Sequence, residues 1–297
     1  MSSSSIRSIA VWCAFAVLHG AALPAANKPT AIFVMRTDGS ESRKVAQVEG
    51  FQKHNSPQWS HDGMRPAFDA SDGPQGVQKF FVINVDGNGL QEMGEQGMPH
   101  WSPDDKQLAF FNYNSKSLKR GHYVQNLDGK GRTWIGGGQC PRWSPDGGQI
   151  AYTTHRRTIA VSDLAEGVER NLFEEQFREI LLGYDWSPDG KRLAFVGRRA
   201  DQRELFLFGD EGLTLRLTRN MGGYLSWSPD GKQLAFSLAR LIHVIDVDGA
   251  GGPKLIPGQQ GNNSDPAWSP DGEWFAFSSD RKTDPVAART DGVAETK

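Results

Sequence analysis

Short strands in which large apolar residues alternate with a small residue return along most of the chain. Examples are Leu108-Ala109-Phe110 and Leu234-Ala235-Phe236, and each follows a Trp-Ser-Pro-Asp-Gly phrase or a near copy of it. A period of two predicts β-strands that are packed on both faces. The phrase predicts a tight turn, because Pro presets one backbone angle, Asp can bond the turn backbone and Gly accepts a positive φ. Each unit therefore predicts strand, turn, strand.

The phrase occurs six times at nearly constant spacing. The intervals between its tryptophans are 42, 42, 43, 41 and 41 residues, and the tryptophans are Trp59, Trp101, Trp143, Trp186, Trp227 and Trp268. A period in the forties is typical of propellers in which each repeat folds into one blade. After the hairpin, an apolar strand that ends in a second Gly turn and a short fourth strand complete the unit, as in residues 80–87 and 213–217. We predict an all-β, six-bladed β-propeller of four-stranded antiparallel blades over residues 31–297.

The ring must be closed by pairing the two ends of the repeat array. Residues 31–39 match the third strand of a blade and precede the first Trp phrase. We expect these N-terminal strands to complete the last blade, next to Trp268 and its hairpin, and so to remove an exposed edge. Residues 285–292 are a degraded copy of the same strand and compete for this position. The N-terminal segment is favoured because it is more apolar.

The first 25 residues have the layout of a signal peptide. Arg7 precedes an apolar run over residues 9–17, and small residues follow at 20–26. The run is short for a membrane span, so we predict cleavage near Ala25 or Ala26 and export to the periplasm or the medium, with an uncleaved anchor as the alternative. The mature chain is then expected to have no transmembrane span, and Cys140 as its one cysteine cannot form an internal disulfide.

Overall charge and motif content narrow the class of function. The chain has 33 Lys and Arg against 35 Asp and Glu, which gives no support to nucleic-acid binding. It contains no Gly-x-Ser-x-Gly elbow and no histidines at zinc-binding spacing. We therefore expect no catalytic residues, no metal and no cofactor, and interpret the chain as a monomeric binding module.

Repeats of the form Trp-Ser-Pro-Asp-Gly-Lys-x-Leu-Ala-Phe, followed by an apolar strand and Asp-Gly, resemble the six-bladed propeller of TolB and its relatives. The likeness covers about residues 31–281. His61 stands in place of Pro in the first copy and Asp105 in place of Gly in the second, which is expected to weaken two turns. TolB also has an α/β domain ahead of its propeller that residues 1–30 cannot supply, so the role of that domain is not carried over.

The residues directly before the tryptophans are the first candidate binding set. They differ from repeat to repeat although the Trp does not, and they lie on the innermost strand, near the central channel. A varied polar set on a rigid frame could select a ligand; alternatively, it only hydrates the channel. The resemblance to TolB implies that this region receives a partner protein. This channel-mouth set comprises Gln58, His100, Arg142, Asp185 and Ser226, with Ala267 in the sixth repeat.

A second candidate lies on the side of the disc that carries the loops between second and third strands. Arginines recur in these loops, whereas the opposite side is acidic only because its turns require Asp. Turn chemistry does not require the arginines, so they predict an anionic ligand or partner, with solvated loop tips as the alternative. We call the following set the basic face: Arg120, Arg156, Arg157, Arg198, Arg199 and Arg240.

Two functions remain on the sequence alone. The first is an exported, non-enzymatic propeller that binds a protein partner in the cell envelope as a scaffold. The alternative is a metal-dependent polysaccharide lyase or a glycan-binding propeller, since oligogalacturonate lyases are related propellers that hold a metal with several histidines. Only His54 and His100, with Gln58, can be placed near the channel mouth for that purpose.

Overall fold

The computed structural model describes residues 28–73, 76–113, 118–173, 176–199, 202–210, 212–217, 222–248 and 250–282. The predicted signal peptide and the degraded strand copy at 285–292 lie outside these ranges. Within them, all 24 regular elements are strands, and no helix is long and apolar enough to cross a bilayer.

The strands form six four-stranded antiparallel sheets, which confirms the predicted propeller. The chain starts with β1 (Ala31–Arg36) and β2 (Arg43–Ala46). Three blades follow, each listed from its innermost strand outward. Blade 1 is β3 (Lys53–Trp59), β4 (Pro66–Ser71), β5 (Gln78–Val82) and β6 (Gln91–Glu95); blade 2 is β7 (Gly97–Trp101), β8 (Gln107–Asn112), β9 (Gly121–Asn126) and β10 (Thr133–Gly136); blade 3 is β11 (Gln139–Trp143), β12 (Gln149–Thr153), β13 (Ile159–Asp163) and β14 (Glu169–Asn171).

The second half of the ring repeats this order and ends in a composite blade. Blade 4 is β15 (Glu179–Trp186), β16 (Leu193–Arg199), β17 (Gln202–Gly209) and β18 (Gly212–Leu217); blade 5 is β19 (Gly222–Trp227), β20 (Gln233–Leu238), β21 (Leu241–Asp246) and β22 (Lys254–Leu255). Blade 6 has β23 (Asn263–Trp268) and β24 (Trp274–Ser279) inside and β1 and β2 outside. The N-terminal strands thus close the ring as expected, with β1 paired to β24 from Ala31↔Ser279 to Arg36↔Trp274.

An aromatic pair lies in the core of most blades. The residue nine positions after each Trp is Phe, or Tyr152 in blade 3, and its cross-strand neighbour on the third strand is aromatic in five blades. The ring centroids in these pairs are 5.5–6.1 Å apart, and the pairs are Phe68–Phe81, Phe110–Tyr123, Phe195–Phe206, Phe236–His243 and Phe277–Phe33. Stacked rings of this kind contribute beyond their buried area. Blade 3 is the exception, because Tyr152 pairs with Ala160.

The Ser-Pro-Asp-Gly turns share one hydrogen-bond pattern, shown by blade 3. The Ser144 hydroxyl donates to Asp146 Oδ1 at 2.6 Å and accepts from the Gln149 N–H at 2.9 Å. Asp146 Oδ1 also accepts from the Gly148 N–H at 3.0 Å. These bonds lower the pKa of Asp146. The same Ser–Asp bond occurs in all six blades, so these aspartates stabilise their own turns.

The two departures from the turn motif meet in one contact. In the other turns, the Pro ring of one blade lies against the Gly of the next, as with Pro103 and Gly147. Between blades 1 and 2, His61 occupies the Pro position and Asp105 the Gly position. Asp105 accepts hydrogen bonds from the N–H groups of His61 at 2.7 Å and Asp62 at 2.8 Å, and it contacts His61 Nδ1 at 3.1 Å. A polar contact thus replaces the Pro–Gly contact where weakened turns were expected.

Candidate functional site

Every innermost strand contains a bulge or irregularity in its pairing with the second strand. The pairing with the second strand shifts register between positions four and one before the Trp in blades 1, 2, 3 and 6, and slightly earlier in blades 4 and 5. In four blades the residue three before the Trp has a positive φ, and it is followed by Pro. These residues are Ser56 (52°), Met98 (58°), Cys140 (58°) and Asp265 (55°). Proline favours such breaks because it cannot donate to the ladder.

Side chains from the bulges bridge the channel. Cys140 Sγ of blade 3 lies 3.1 Å from Met98 Sδ of blade 2 and 3.9 Å from Tyr224 Oη of blade 5. The Ser56 N–H of blade 1 donates to Asp265 Oδ2 of blade 6 at 3.4 Å. Blades 3 and 5 are not neighbours in the ring, so the contact between Cys140 and Tyr224 crosses the channel. These side chains therefore link blades 2, 3 and 5 inside the ring.

Three members of the channel-mouth set hold adjacent blades together. Side-chain atoms of His100, Asp185 and Ser226 accept hydrogen bonds from the backbone N–H of the Trp in the following blade. The donors and distances are Trp143 to His100 Nδ1, 3.2 Å; Trp227 to Asp185 Oδ2, 3.2 Å; and Trp268 to Ser226 Oγ, 3.1 Å. This contact explains why acceptors of different chemistry occur at one position of the repeat. All three lie at the end of the innermost strand near the Ser-Pro-Asp-Gly turns, on the side of the disc opposite the basic face.

The other members of the set do not make this contact in the described residues. Gln58 is half-buried. Arg142 is 1% exposed, and its Nη1 donates to the Pro141 carbonyl at 3.3 Å. Its guanidinium lies 5.9 Å from the ring centre of Tyr224 across the channel. The charge of Arg142 is therefore held inside the ring, close to the bulge residues.

Buried carboxyl groups of the channel have raised pKa values. Burial, together with the nearby Asp69 carboxyl, raises the pKa of Asp265 to about 7, although the Ser56 N–H and Arg142 oppose the shift. Burial also raises the pKa of Asp185 to about 6, again against Arg142 and the two backbone N–H groups that the carboxylate accepts. Desolvation disfavours the charged form of an acid, which accounts for the direction. The channel thus contains acids that change protonation near neutral pH.

On the basic face, the structure divides the six arginines into two groups. Arg157 and Arg198 both form ion pairs with Glu179, the latter at 2.8 Å, and Glu179 is 12% exposed. The Arg199 guanidinium lies 4.9 Å from the ring centre of Phe177 and 4.8 Å from that of Phe206. These three side chains are used in packing and pairing within blades 3 and 4.

Arg120, Arg156 and Arg240 form the second group. All three are exposed, and within the described residues none has an acidic partner within 4.0 Å. They project from blades 2, 3 and 5, each next to the loop between second and third strands. The available positive charge of the basic face therefore comes from these three positions.

The histidines considered for a metal are engaged separately. His54 Nε2 accepts from the Val48 N–H at 2.8 Å, and its ring lies 6.1 Å from that of Phe68. Burial lowers the pKa of His54 to about 4. His100 instead bonds Trp143, so the two imidazoles have different neighbours. In the described ranges, no three His, Cys, Asp or Glu side chains are grouped as a metal site.

The bulge residues were missed by reasoning from the sequence. The available signal was Pro two positions before the Trp in four repeats, at Pro57, Pro99, Pro141 and Pro266. A Pro inside a predicted strand indicates a bulge or an edge. It could have located the bulges, but not the contact between Cys140 and Tyr224, which depends on ring closure.

Comparison with known proteins supports the fold. No protein-family model matches the chain, and no curated protein matches it. TolB from Acinetobacter baumannii matches with a TM-score of 0.66 and 18% identity, over 81% of this chain and 66% of that protein. A putative TolB from Agrobacterium tumefaciens matches with a TM-score of 0.66 and 20% identity, over 84% of this chain and 98% of that one. The chain thus spans just under two thirds of the Acinetobacter protein, and at these identities the likeness establishes a TolB-like propeller fold.

Proposed function

We propose that this chain is an exported, non-enzymatic scaffold of the cell envelope whose basic face binds an acidic surface of a partner protein. The observation that carries the proposal is the set of three exposed arginines, Arg120, Arg156 and Arg240, which have no acidic partner in the described ranges and lie on one side of the ring. The aspartates of the opposite side are bonded within their own turns, so they do not offer comparable free charge.

The channel mouth on the turn side is the second contact region of this proposal. There Gln58 and His100 are half-buried on a frame fixed by blade-to-blade hydrogen bonds. A rigid polar rim of this kind reduces the entropy that binding must overcome. Export is proposed from the Arg7 and apolar-run layout of residues 1–25.

Charge reversal tests the basic face. We expect an immobilised variant with Arg120→Glu, Arg156→Glu and Arg240→Glu to retain at least about tenfold less of an envelope protein than the unmodified chain. The reason is that complementary charge steers and selects partners. Retention by the unmodified chain should weaken as salt is raised. The matched control reverses Lys106, Lys130 and Lys232, which are exposed on the turn side beside their own aspartates.

The control has the same net charge as the test variant, so a general charge effect would appear in both. Equal retention by the two variants would contradict the basic-face assignment. The export part is checked separately by sequencing the N-terminus of the protein recovered from the periplasm or medium. A mature chain that starts at Ala26 or Asn27 is the expected result.

A further inference from the structure

Blade 3 differs from the other blades in one row of side chains that runs across its strands through the core. In register across the sheet, Tyr152 of β12 pairs with Ala160 of β13, which pairs with Asn171 of β14. The other five blades have an aromatic ring at the position of Ala160. A methyl group therefore replaces a ring in the middle of this row. Removal of that much side-chain volume leaves space unless neighbours fill it.

The connection that enters blade 3 does not fill the space. Connections into blades 1 and 4 supply Phe51, 5.8 Å from Phe81, and Phe177, 4.9 Å from Phe206. The connection into blade 3 is Gly136-Gly137-Gly138, which has no side chains. Gly138 lies so close to Tyr152 that an added Cβ would come within 1.9 Å of the ring, whereas an added Cβ at Gly137 would meet nothing within 4 Å.

A pocket of about 320 Å³ lies at this place. Its lining includes both residues that flank Ala160 in the row, Tyr152 and Asn171, together with Gly137, Gly138, Thr154, His155, Arg156, Thr158 and Glu169. The volume is at the lower end of the range for small-molecule sites. The pocket opens on the same side of the disc as the basic face, through the loop that carries Arg156.

One polar group of the lining requires a partner. Tyr152 is 2% exposed, and its hydroxyl makes no hydrogen bond of good geometry in the described part of the chain, although the side chains of Glu169 and Ser162 lie next to it. A buried polar group without a partner is unfavourable and uncommon in native proteins. On its other side, the Tyr152 ring packs against His122 of blade 2 with the centroids 4.3 Å apart. This packing fixes the Tyr152 ring in place at the edge of the pocket.

The remaining groups define the chemistry of a ligand. Asn171 supplies an amide, Glu169 a carboxylate, and Tyr152 a protonated hydroxyl, whose pKa burial raises further above its ordinary value. Such a mixture of donors and acceptors complements a ring that carries several hydroxyl groups. Arg156 is exposed at the rim and adds one positive charge without an acidic partner in the described ranges.

We propose that the pocket of blade 3 binds one pyranose ring of an acidic sugar, with the sugar carboxylate on Arg156 and ring hydroxyls on Tyr152, Glu169 and Asn171. This site overlaps the basic face proposed above at Arg156 alone, and Tyr152, Glu169 and Asn171 belong only to the pocket. The free monosaccharide and a unit of a glycan present the same ring and carboxylate to it.

Titration calorimetry with glucuronic acid tests the proposal. Saturable binding with a Kd of about 1 mM is expected for a ligand of this size, with glucose at least about tenfold weaker because it lacks the carboxylate. The methyl glycoside of glucuronic acid distinguishes a glycan unit from a free monosaccharide as the ligand. If it binds as well as glucuronic acid itself, the pocket accepts a glycan unit; if only glucuronic acid binds, the ligand is a monosaccharide.

Two variants assign the binding to this pocket. Tyr152→Phe introduces the residue that the other five blades already have, so it should fold normally, and it should raise the Kd about 5- to 10-fold by removal of one hydrogen bond. Arg156→Ala should abolish the preference for glucuronic acid over glucose. The controls are Tyr123→Phe, whose hydroxyl donates to the Lys119 carbonyl at 2.7 Å, and Arg120→Ala; both should leave the Kd unchanged.

Three results would overturn the proposal: no saturable binding up to about 20 mM glucuronic acid, equal affinity for glucose, or binding that neither Tyr152→Phe nor Arg156→Ala alters. Tyr152→Phe also distinguishes this site from the proposed function. It should weaken sugar binding and leave the retention of a protein partner unchanged.

Discussion

At the scale of single residues, the departures from the repeat are more informative than the repeat itself. His61 and Asp105 each break the turn motif when read alone, yet they lie 44 residues apart in the sequence and meet at the junction of blades 1 and 2. Asp105 has a φ of 56°, in the region that Gly occupies in the other turns. Asp tolerates this region better than most residues, so the exchange is compatible with the turn.

The His61–Asp105 contact should appear as non-additivity in a double-mutant cycle. Asp105→Gly alone removes the acceptor for two backbone N–H groups and should lower the free energy of unfolding by about 1–2 kcal/mol. Combined with His61→Pro, it restores the Pro–Gly contact of the other junctions, so the double variant should lose at least about 0.5 kcal/mol less than the sum of the two single losses. Urea denaturation measures the three variants. Additive losses would show that the two residues are not energetically coupled.

Asp265 gives a pH-dependent prediction at the same scale. Its pKa is about 7 in the folded chain and about 3.9 in an unfolded one, so the folded state binds the proton more tightly. The resulting stabilisation is fully present below about pH 4 and is lost as the pH rises through about 7. Asp265→Asn lacks this loss and should therefore be more stable than the unmodified chain at pH 8, by roughly 2–4 kcal/mol, with little gain at pH 4.

The difference between variant and unmodified chain is the quantity to measure, because buried histidines titrate in the opposite sense. The pKa values of His54 and His122 are lowered to about 4, so their contribution is lost as the pH falls from about 6.5. Asp146→Asn is the control. The pKa of Asp146 is lowered by its turn, so this variant should show a constant difference between pH 5 and 8. A constant difference for Asp265→Asn as well would refute the assignment.

At the scale of elements, blade 6 depends on strands from both ends of the described chain. Phe33 of β1 is 2% exposed, and its ring lies 6.0 Å from that of Phe277 on β24. In each of the other blades, this position lies on the third strand, which directly follows the hairpin of the first two strands in the sequence. Closure therefore adds contacts of long sequence separation to a fold whose other sheets are local, and these contacts are expected to form late in folding.

Truncation at each end should have unequal effects. A chain that starts at Gln47 lacks β1 and β2, which exposes β24 as an edge and removes the Phe33–Phe277 pair; we expect it to lose cooperative thermal unfolding. A chain that ends at Lys282 keeps every described strand and should have an unchanged melting temperature. Calorimetry of the two chains decides between the competing ends. If the chain that starts at Gln47 still unfolds cooperatively, residues 285–292 can take the place of β1.

At the scale of the whole molecule, the two sides of the disc differ in how their charges are used. Aspartates of the turn side are bonded to Ser hydroxyls and backbone N–H groups, as in the Ser144–Asp146 pair. On the opposite side, Glu179 holds Arg157 and Arg198, whereas Arg120, Arg156 and Arg240 remain exposed. Cys140, Met98 and Tyr224 contact one another inside the ring, between these two sides. The unpaired positive charge is the reason for which the basic face is proposed above as the binding surface.

The sequence by itself determined the six blades, their turns and the closing strands. Each of these features is signalled within a short stretch of sequence. The signals are the period-two strand pattern, the Ser–Asp turn and the apolar character of residues 31–35. The sequence also located the channel-mouth set, but it could not show that His100, Asp185 and Ser226 bond the next blade. Their partners lie 42 or 43 residues away.

Only the tertiary structure decided which residues meet when blades stack. It joined His61 to Asp105, brought Cys140 to Tyr224 across the channel over 84 positions, and placed Ala160 beside Tyr152, where the pocket of blade 3 lies. Each of these contacts depends on the register of strands or the closure of the ring. No local pattern predicts these contacts. The same strand can be packed against a ring, a methyl group or a pocket without any change in its period-two alternation of side chains.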